Sequence, residues 1–202
     1  MKNILLIVDP QNDFITGTLP VEGAEAKMKN LAKYIEAKGS EYAYVCVTMD
    51  SHTKHHCSFA VNGGIWPEHC VHGSKGWDIP SYLDEVFNKL PNVGCYHKGD
   101  TPNVEEYSIF DNTEDGNTLE RQITAMIHDG DDVYVDICGI AGDYCVLETL
   151  KGLCNIIGNK YITILTDFVA SIDGGEKLID YAEANNINYV IDSSLNLQEY
   201  VR

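Results

Sequence analysis

The sequence predicts an α/β fold of three layers, α/β/α, built on a mainly parallel six-stranded sheet of the doubly wound, Rossmann-like kind. Two observations carry this prediction. Six short apolar runs rich in β-branched and aromatic residues recur along the 202 residues, and helix-period patterns fill most of the intervals between them. Strands alternating with helices call for right-handed crossovers, which keep the strands parallel and cover both faces of the sheet.

Taken in order, the runs are residues 3–9, 42–49, 93–97, 132–140, 161–166 and 188–191, each followed by polar or glycine-containing residues. The helical patterns lie at residues 24–37, 80–90, 117–128, 143–157 and 175–184, several with Ser, Thr or Asp in the first turn. The first run stops at Asp9, too early for the core of a secretion signal, and no small-residue cleavage pattern follows it. Residues 50–79 are too polar and too often broken by glycine and proline to form a regular element. Loops of that length in compact domains are usually functional.

No linker or shift in composition divides the chain, so residues 1–202 read as one domain. Fourteen Lys and Arg stand against 31 Asp and Glu, a net charge of -17. That balance repels nucleic acid and anionic lipid surfaces, and no segment approaches the roughly 20 consecutive apolar residues of a spanning helix. A small molecule is the expected partner, with neither nucleic acid nor membrane, and self-association into a homo-oligomer stays open. Seven cysteines, scattered without CxxC pairs, read as free thiols in a reducing, cytoplasmic setting.

Four of the six predicted strands end in reactive residues: Asp9, then Asp50 with His52, then Lys98, then the stretch GIAGDYCV at residues 139–146. In a parallel sheet these carboxyl ends share one edge, where ligands bind. Cys145 falls at a strand-to-helix turn, where unpaired backbone N–H groups and the helix dipole favour a thiolate and could hold an oxyanion. Asp9 could take the thiol proton if burial and Lys98 set its acidity suitably. Taken singly, each residue has a plainer reading: a buried small side chain, a turn aspartate, a solvated lysine. Asp50 and His52 are two apart in an extended segment and point the same way, and WPEHC supplies His69 as a third ligand. One carboxylate and two imidazoles suit zinc, iron or manganese better than calcium.

The ordered motifs DPQNDF, MDSHTKHHCSF, WPEHCVHG, YHKG and GIAGDYCV resemble those of the isochorismatase-like cysteine hydrolases, and within them the nicotinamidases, also called pyrazinamidases. The resemblance runs from Ile4 to about Asp167. It implies the isochorismatase-like hydrolase fold and a catalytic triad of Asp9, Lys98 and Cys145. It implies one divalent metal ion, zinc by preference and iron or manganese otherwise, on Asp50, His52 and His69. It also implies that Phe14 and Trp66 flank a planar ring, that the backbone N–H groups of Ala141 and Cys145 form an oxyanion hole, and that the Ile140–Ala141 peptide is cis. The activity implied is hydrolysis of nicotinamide, and of pyrazinamide, within NAD salvage. Gly142 stands where the family often has Thr, His55 where Asn is frequent, and DFVAS replaces a DAC-type sequence; none of these removes a triad or metal position. His55 and His56 read as plain loop histidines.

Within the superfamily, vinyl-ether hydrolysing branches neither need the thiol nor keep this metal set, and carbamoyl-releasing branches keep the thiol triad but typically lack the metal motif. The resemblance therefore points to an amide. Another small amide or carbamoyl substrate is the alternative, and a non-catalytic metal-binding or thiol redox protein is a further one, disfavoured by the missing CxxC pairs. A nucleotide or flavin binder would need a glycine-rich turn after the first strand, where DPQNDF stands instead.

Overall fold

Strand β1, Lys2–Val8, is buried from Ile4 onward on both faces, as a central strand of a parallel sheet has to be. It pairs in parallel with β2, Tyr44–Asp50, on one side and with β4, Val133–Ile140, on the other. The computed structural model describes residues 1–111 and 113–190. Among these, β3, Val93–Lys98, β5, Ile162–Ala170, and β6, Asn188–Val190, complete a six-stranded sheet in the order β3-β2-β1-β4-β5-β6 with every pairing parallel. Position 191 of the predicted last strand lies outside the described residues.

A short helix α1, Asn12–Ile15, follows β1, and α2, Ala24–Lys38, leads to β2. Helix α3, Ser81–Phe87, packs with α2 over one face; α4, Glu114–His128, packs with α5, Leu147–Ile157, over the other. Helix α6, Glu176–Ala184, leads from β5 to β6. Strand order reverses between β1 and β4, and such switch points open a crevice at the carboxyl ends of the strands. No helix among the described residues is long and apolar enough to cross a membrane.

The differences from the sequence prediction are local. Helix α1 is too short to show a period. Helix α4 starts three residues early, because Thr113 caps it by accepting the Gly116 N–H at 2.8 Å. Asp50 is the last residue of β2 rather than the first beyond it. Strand β5 continues past the predicted end at Thr166. Its register against β4 jumps from Ile137↔Ile164 to Gly139↔Val169, so half-exposed Thr166 and Asp167 interrupt the apolar pattern before the strand resumes and brings Ala170 opposite Ile140.

Candidate active site

The switch point places the end of β1 beside the end of β4. Asp9, the first residue after β1, is fully buried with φ 46, a left-handed conformation that turns its carboxylate into the crevice. Its Oδ1 accepts the Thr48 hydroxyl at 2.6 Å, and its N–H points back to Thr48 of β2. Lys98 arrives from β3, where the ladder pairs it with Asp50. On the far side, Gly139 near the end of β4 has φ 125, and a Cβ there would run into the Val8 backbone, so glycine is required for the two strands to approach. The Ile140–Ala141 peptide that follows is cis. The chain then enters a single wide turn, Gly142–Val146, in which the Tyr144 and Val146 N–H groups both donate to the Ala141 carbonyl, and Cys145 sits inside it.

Lys98 is the hub of the site. Its side chain has no solvent exposure, and Nζ lies 2.8 Å from Asp9 Oδ2, bonds Asp50 Oδ1, and stands 3.6 Å from Cys145 Sγ. Burial opposes a charged lysine, but the two carboxylates outweigh it and hold the ammonium well above its usual range. Burial likewise lifts Asp9, helped by Asp50 and opposed by Lys98. Asp50 goes the other way: against the cost of burial, Lys98 and the imidazoles of His52 and His69 hold its carboxyl well below the ordinary value. Burial pushes the Cys145 thiol up, with Asp9 and Asp50 adding to it and Lys98 opposing. The turn therefore does not by itself yield a thiolate, contrary to the expectation from its place at a helix start, because water is excluded from the sulfur. A nearby base has to remove the proton, and sulfur and carboxylate oxygens of Cys145, Asp9 and Asp50 all lie within 4.8 Å of one another.

Asp50, His52 and His69 form a second cluster, with ligand atoms also within 4.8 Å. Lys98 takes Asp50 Oδ1, so Oδ2 is left for the imidazoles, 3.6 Å from His52 Nε2 and 4.0 Å from His69 Nε2. Each ring is oriented from behind: His52 Nδ1 lies 2.8 Å from the Gly99 carbonyl and His69 Nδ1 2.7 Å from the Pro67 carbonyl. A carbonyl can only accept, so both Nδ1 atoms carry hydrogen, and Nε2 is the atom that each ring turns toward Asp50 and leaves available as a metal ligand. Buried His52 Nε2 has no hydrogen-bond partner. An orphaned imidazole lone pair beside a free carboxylate oxygen fits a divalent cation.

Several residues that support the site lie inside the ordered motifs, but their spacing does not reveal what they do. Gln11 grips Asp50 by accepting its N–H and donating to its carbonyl, both at 2.8 Å. Asp13 of α1 accepts the Cys70 N–H at 2.8 Å, tying the helix that carries Phe14 to the loop that carries His69. His56 is not the plain loop histidine expected. It is buried and stacked on His52 at 4.1 Å between centroids, whereas His55 is exposed.

Cys145 lines a small cavity whose walls include Phe14, Trp66, Tyr107, Tyr144, His69 and Ala141. Phe14 tilts against His69 at 5.4 Å. Trp66 donates its indole N–H to Tyr107 at 3.1 Å and meets Tyr144 edge-on at 5.0 Å. Phe14 and Trp66 thus do face one aromatic cavity, and Tyr107 and Tyr144 are walls that sequence reasoning missed; their one cue, aromatic residues in loops, is too common to select them. The long loop 50–79 is irregular as expected, held by bridges at His52↔Val71 and Phe59↔Trp66.

Comparison with known proteins agrees with this geometry. The isochorismatase domain matches residues 3–194. The nicotinamidase/pyrazinamidase of Mycobacterium tuberculosis is 31% identical over 178 residues, 83% of this chain and 86% of that protein. Among solved structures, the pyrazinamidase of Pyrococcus horikoshii in complex with zinc superposes with a TM-score of 0.76 at 28% identity, covering 95% of this chain and 100% of the other. PnC1 from L. infantum in complex with nicotinate gives 0.78 at 27% identity, covering 94% and 92%.

Proposed function

The chain belongs to the isochorismatase domain family, and we propose that it is a cysteine amidohydrolase that converts nicotinamide, and by the same chemistry pyrazinamide, to the carboxylate and ammonia. The observation that carries this reading is Lys98 Nζ, which meets Asp9, Asp50 and the Cys145 sulfur behind an aromatic cavity that Asp50 and Cys145 line. A planar heteroaromatic ring fits between Phe14 and Trp66, with its carboxamide toward Cys145.

Asp9 accepts the Cys145 proton, and the thiolate attacks the amide carbon. Negative charge gathers on the carbonyl oxygen, where the N–H groups of Ala141 and Cys145 are the proposed donors and Lys98 adds its field. Protonated Asp9 delivers its proton to the departing nitrogen, so ammonia leaves and a thioester remains. Asp9 then takes a proton from water, hydroxide attacks the thioester, and the departing sulfur recovers the proton. Lys98 keeps Asp9 and Asp50 compatible in one dry space throughout. Asp50, His52 and His69 would hold a divalent ion, zinc by preference, with iron or manganese as alternatives. When bound, that ion supplies a Lewis-acid anchor for the ring nitrogen, directly or through water, and such orientation lowers the barrier. Seven unpaired thiols are in keeping with a cytoplasmic enzyme of NAD salvage.

The test is incubation of the purified protein with nicotinamide, following nicotinate and ammonia, beside a Cys145→Ala variant and a chelated sample. Release that stops with the variant and weakens on chelation is expected. Release unaffected by Cys145→Ala would remove the mechanism, and no release from folded, metal-loaded protein would move the substrate to another small amide or carbamoyl compound.

A further inference from the structure

The segment after β5 contributes to the ring cavity from a direction that the triad and the metal cluster do not explain. Ile172 lines the cavity although it is 52% exposed, while Phe14, His69 and Cys145 on the same walls are buried. A half-exposed lining residue stands at the mouth. Two features fix it there. Buried Asp143, inside the turn that carries Cys145, accepts the Ile172 N–H at 2.9 Å. And a Cβ on Gly142, the neighbouring residue of that turn, would run into the Ser171 side-chain oxygen and crowd Val169. Gly142 is not among the glycines with positive φ, so space rather than backbone freedom accounts for it. The Ser171 hydroxyl occupies the volume that a side chain at 142 would need.

We propose that Ile172 is a specificity-determining residue at the mouth of the ring cavity, seated there by the Asp143 bond and by the complementary pair Gly142 and Ser171. The register jump in β5 serves the same end, since it brings Ala170 opposite Ile140 and so delivers residues 171 and 172 to the Cys145 turn. Ile172 limits how much a substrate can carry beyond a bare ring and a primary carboxamide, because an added methyl group would meet its side chain. Gly142 and Ser171 are positioning residues: neither touches the ring, and each sets where Ile172 stands. This proposal rests on the amide hydrolase reading.

The experiment measures kcat/KM for nicotinamide and for a panel of nicotinamides bearing one methyl group on each ring carbon in turn or on the amide nitrogen. Wild-type protein is compared with Ile172→Ala and the milder Ile172→Val. For at least one methylated member, kcat/KM relative to nicotinamide is expected to rise about tenfold in Ile172→Ala and less in Ile172→Val, the scale of one methyl-sized space in an apolar pocket. An identical substrate profile in all three proteins overturns the role of Ile172. Gly142→Ala is expected to raise KM for nicotinamide about fivefold, and Gly142→Ala with Ser171→Gly to recover it, the non-additivity of groups in contact. A double variant no better than the single one removes the Gly142–Ser171 part. Wild-type protein inactive on nicotinamide would instead strike the functional reading, so the two failures are distinguishable.

Discussion

Asp9 and Asp50 share one buried ammonium, yet their surroundings drive them in opposite directions. On the thiol side, Asp9 faces Lys98, the Thr48 hydroxyl, the Cys145 thiol and the Asp50 carboxylate, and burial lifts its carboxyl, with Asp50 adding to the rise. On the imidazole side, Asp50 has Lys98 and two histidines around it and is held low. One carboxylate is thereby suited to gain and lose a proton and the other to stay anionic as a ligand. Paired titratable groups pushed apart in this way mark a division between acid–base work and binding. The shared lysine makes the two halves one device.

The strongest way to break the comparison is to remove the shared group. Lys98→Met leaves two buried carboxylates uncompensated and is expected to destabilise the fold by about 3–5 kcal/mol in a denaturant titration, besides abolishing turnover. Stability close to that of the parent would mean that the halves do not depend on one ammonium. Next in size, His52→Ala should weaken metal binding by more than about 100-fold, measured by competition with a chromophoric chelator, because it removes a ligand nitrogen that has no other hydrogen-bond partner. The Cys145 thiol should still react with a small alkylating reagent in that variant. Loss of both properties together would merge what the comparison separates.

The opposed acidities give a pH prediction. Asp9 accepts a proton only when ionised, so activity falls as pH drops through its raised value, and the acid limb of kcat/KM is expected to lie above the ordinary aspartate value of 3.8. For Asp50 the sign is reversed in stability: a depressed folded value contributes stability above the ordinary carboxylate range that is lost as pH falls through it. An acid limb at or below 3.8 would place the base elsewhere. The smallest effect expected is that of Tyr107→Phe, which unties the Trp66 indole at a cost of about 1 kcal/mol and should raise KM about fivefold with little change in kcat.

Much of the site was legible because its residues stand where strands end. Asp9, Asp50, Lys98 and Cys145 follow or close apolar runs that any parallel arrangement brings to one edge, and the structure gathers the other three around the Lys98 nitrogen. The order of motifs also carried the cis peptide. What escaped notice depends on contacts between distant polar residues: the Gln11 grip on Asp50, the Asp13 tie to Cys70, and the Trp66–Tyr107 pair 41 residues apart. His56 hid among loop histidines because stacking leaves no trace in spacing. The complete burial of Lys98 was hidden for a related reason, since a lysine before glycine reads as a surface residue until two carboxylates from other strands are known to meet it.

The central claim is that Cys145 carries the acyl group. It is tested most directly by acid-quenching the protein during turnover of nicotinamide and weighing the intact chain, then mapping any adduct by peptide fragmentation. A pyridine-3-carbonyl group on Cys145, absent from Cys145→Ala, is predicted. Steady nicotinate release with no adduct on any cysteine, and with Cys145→Ala as active as the parent, would contradict it.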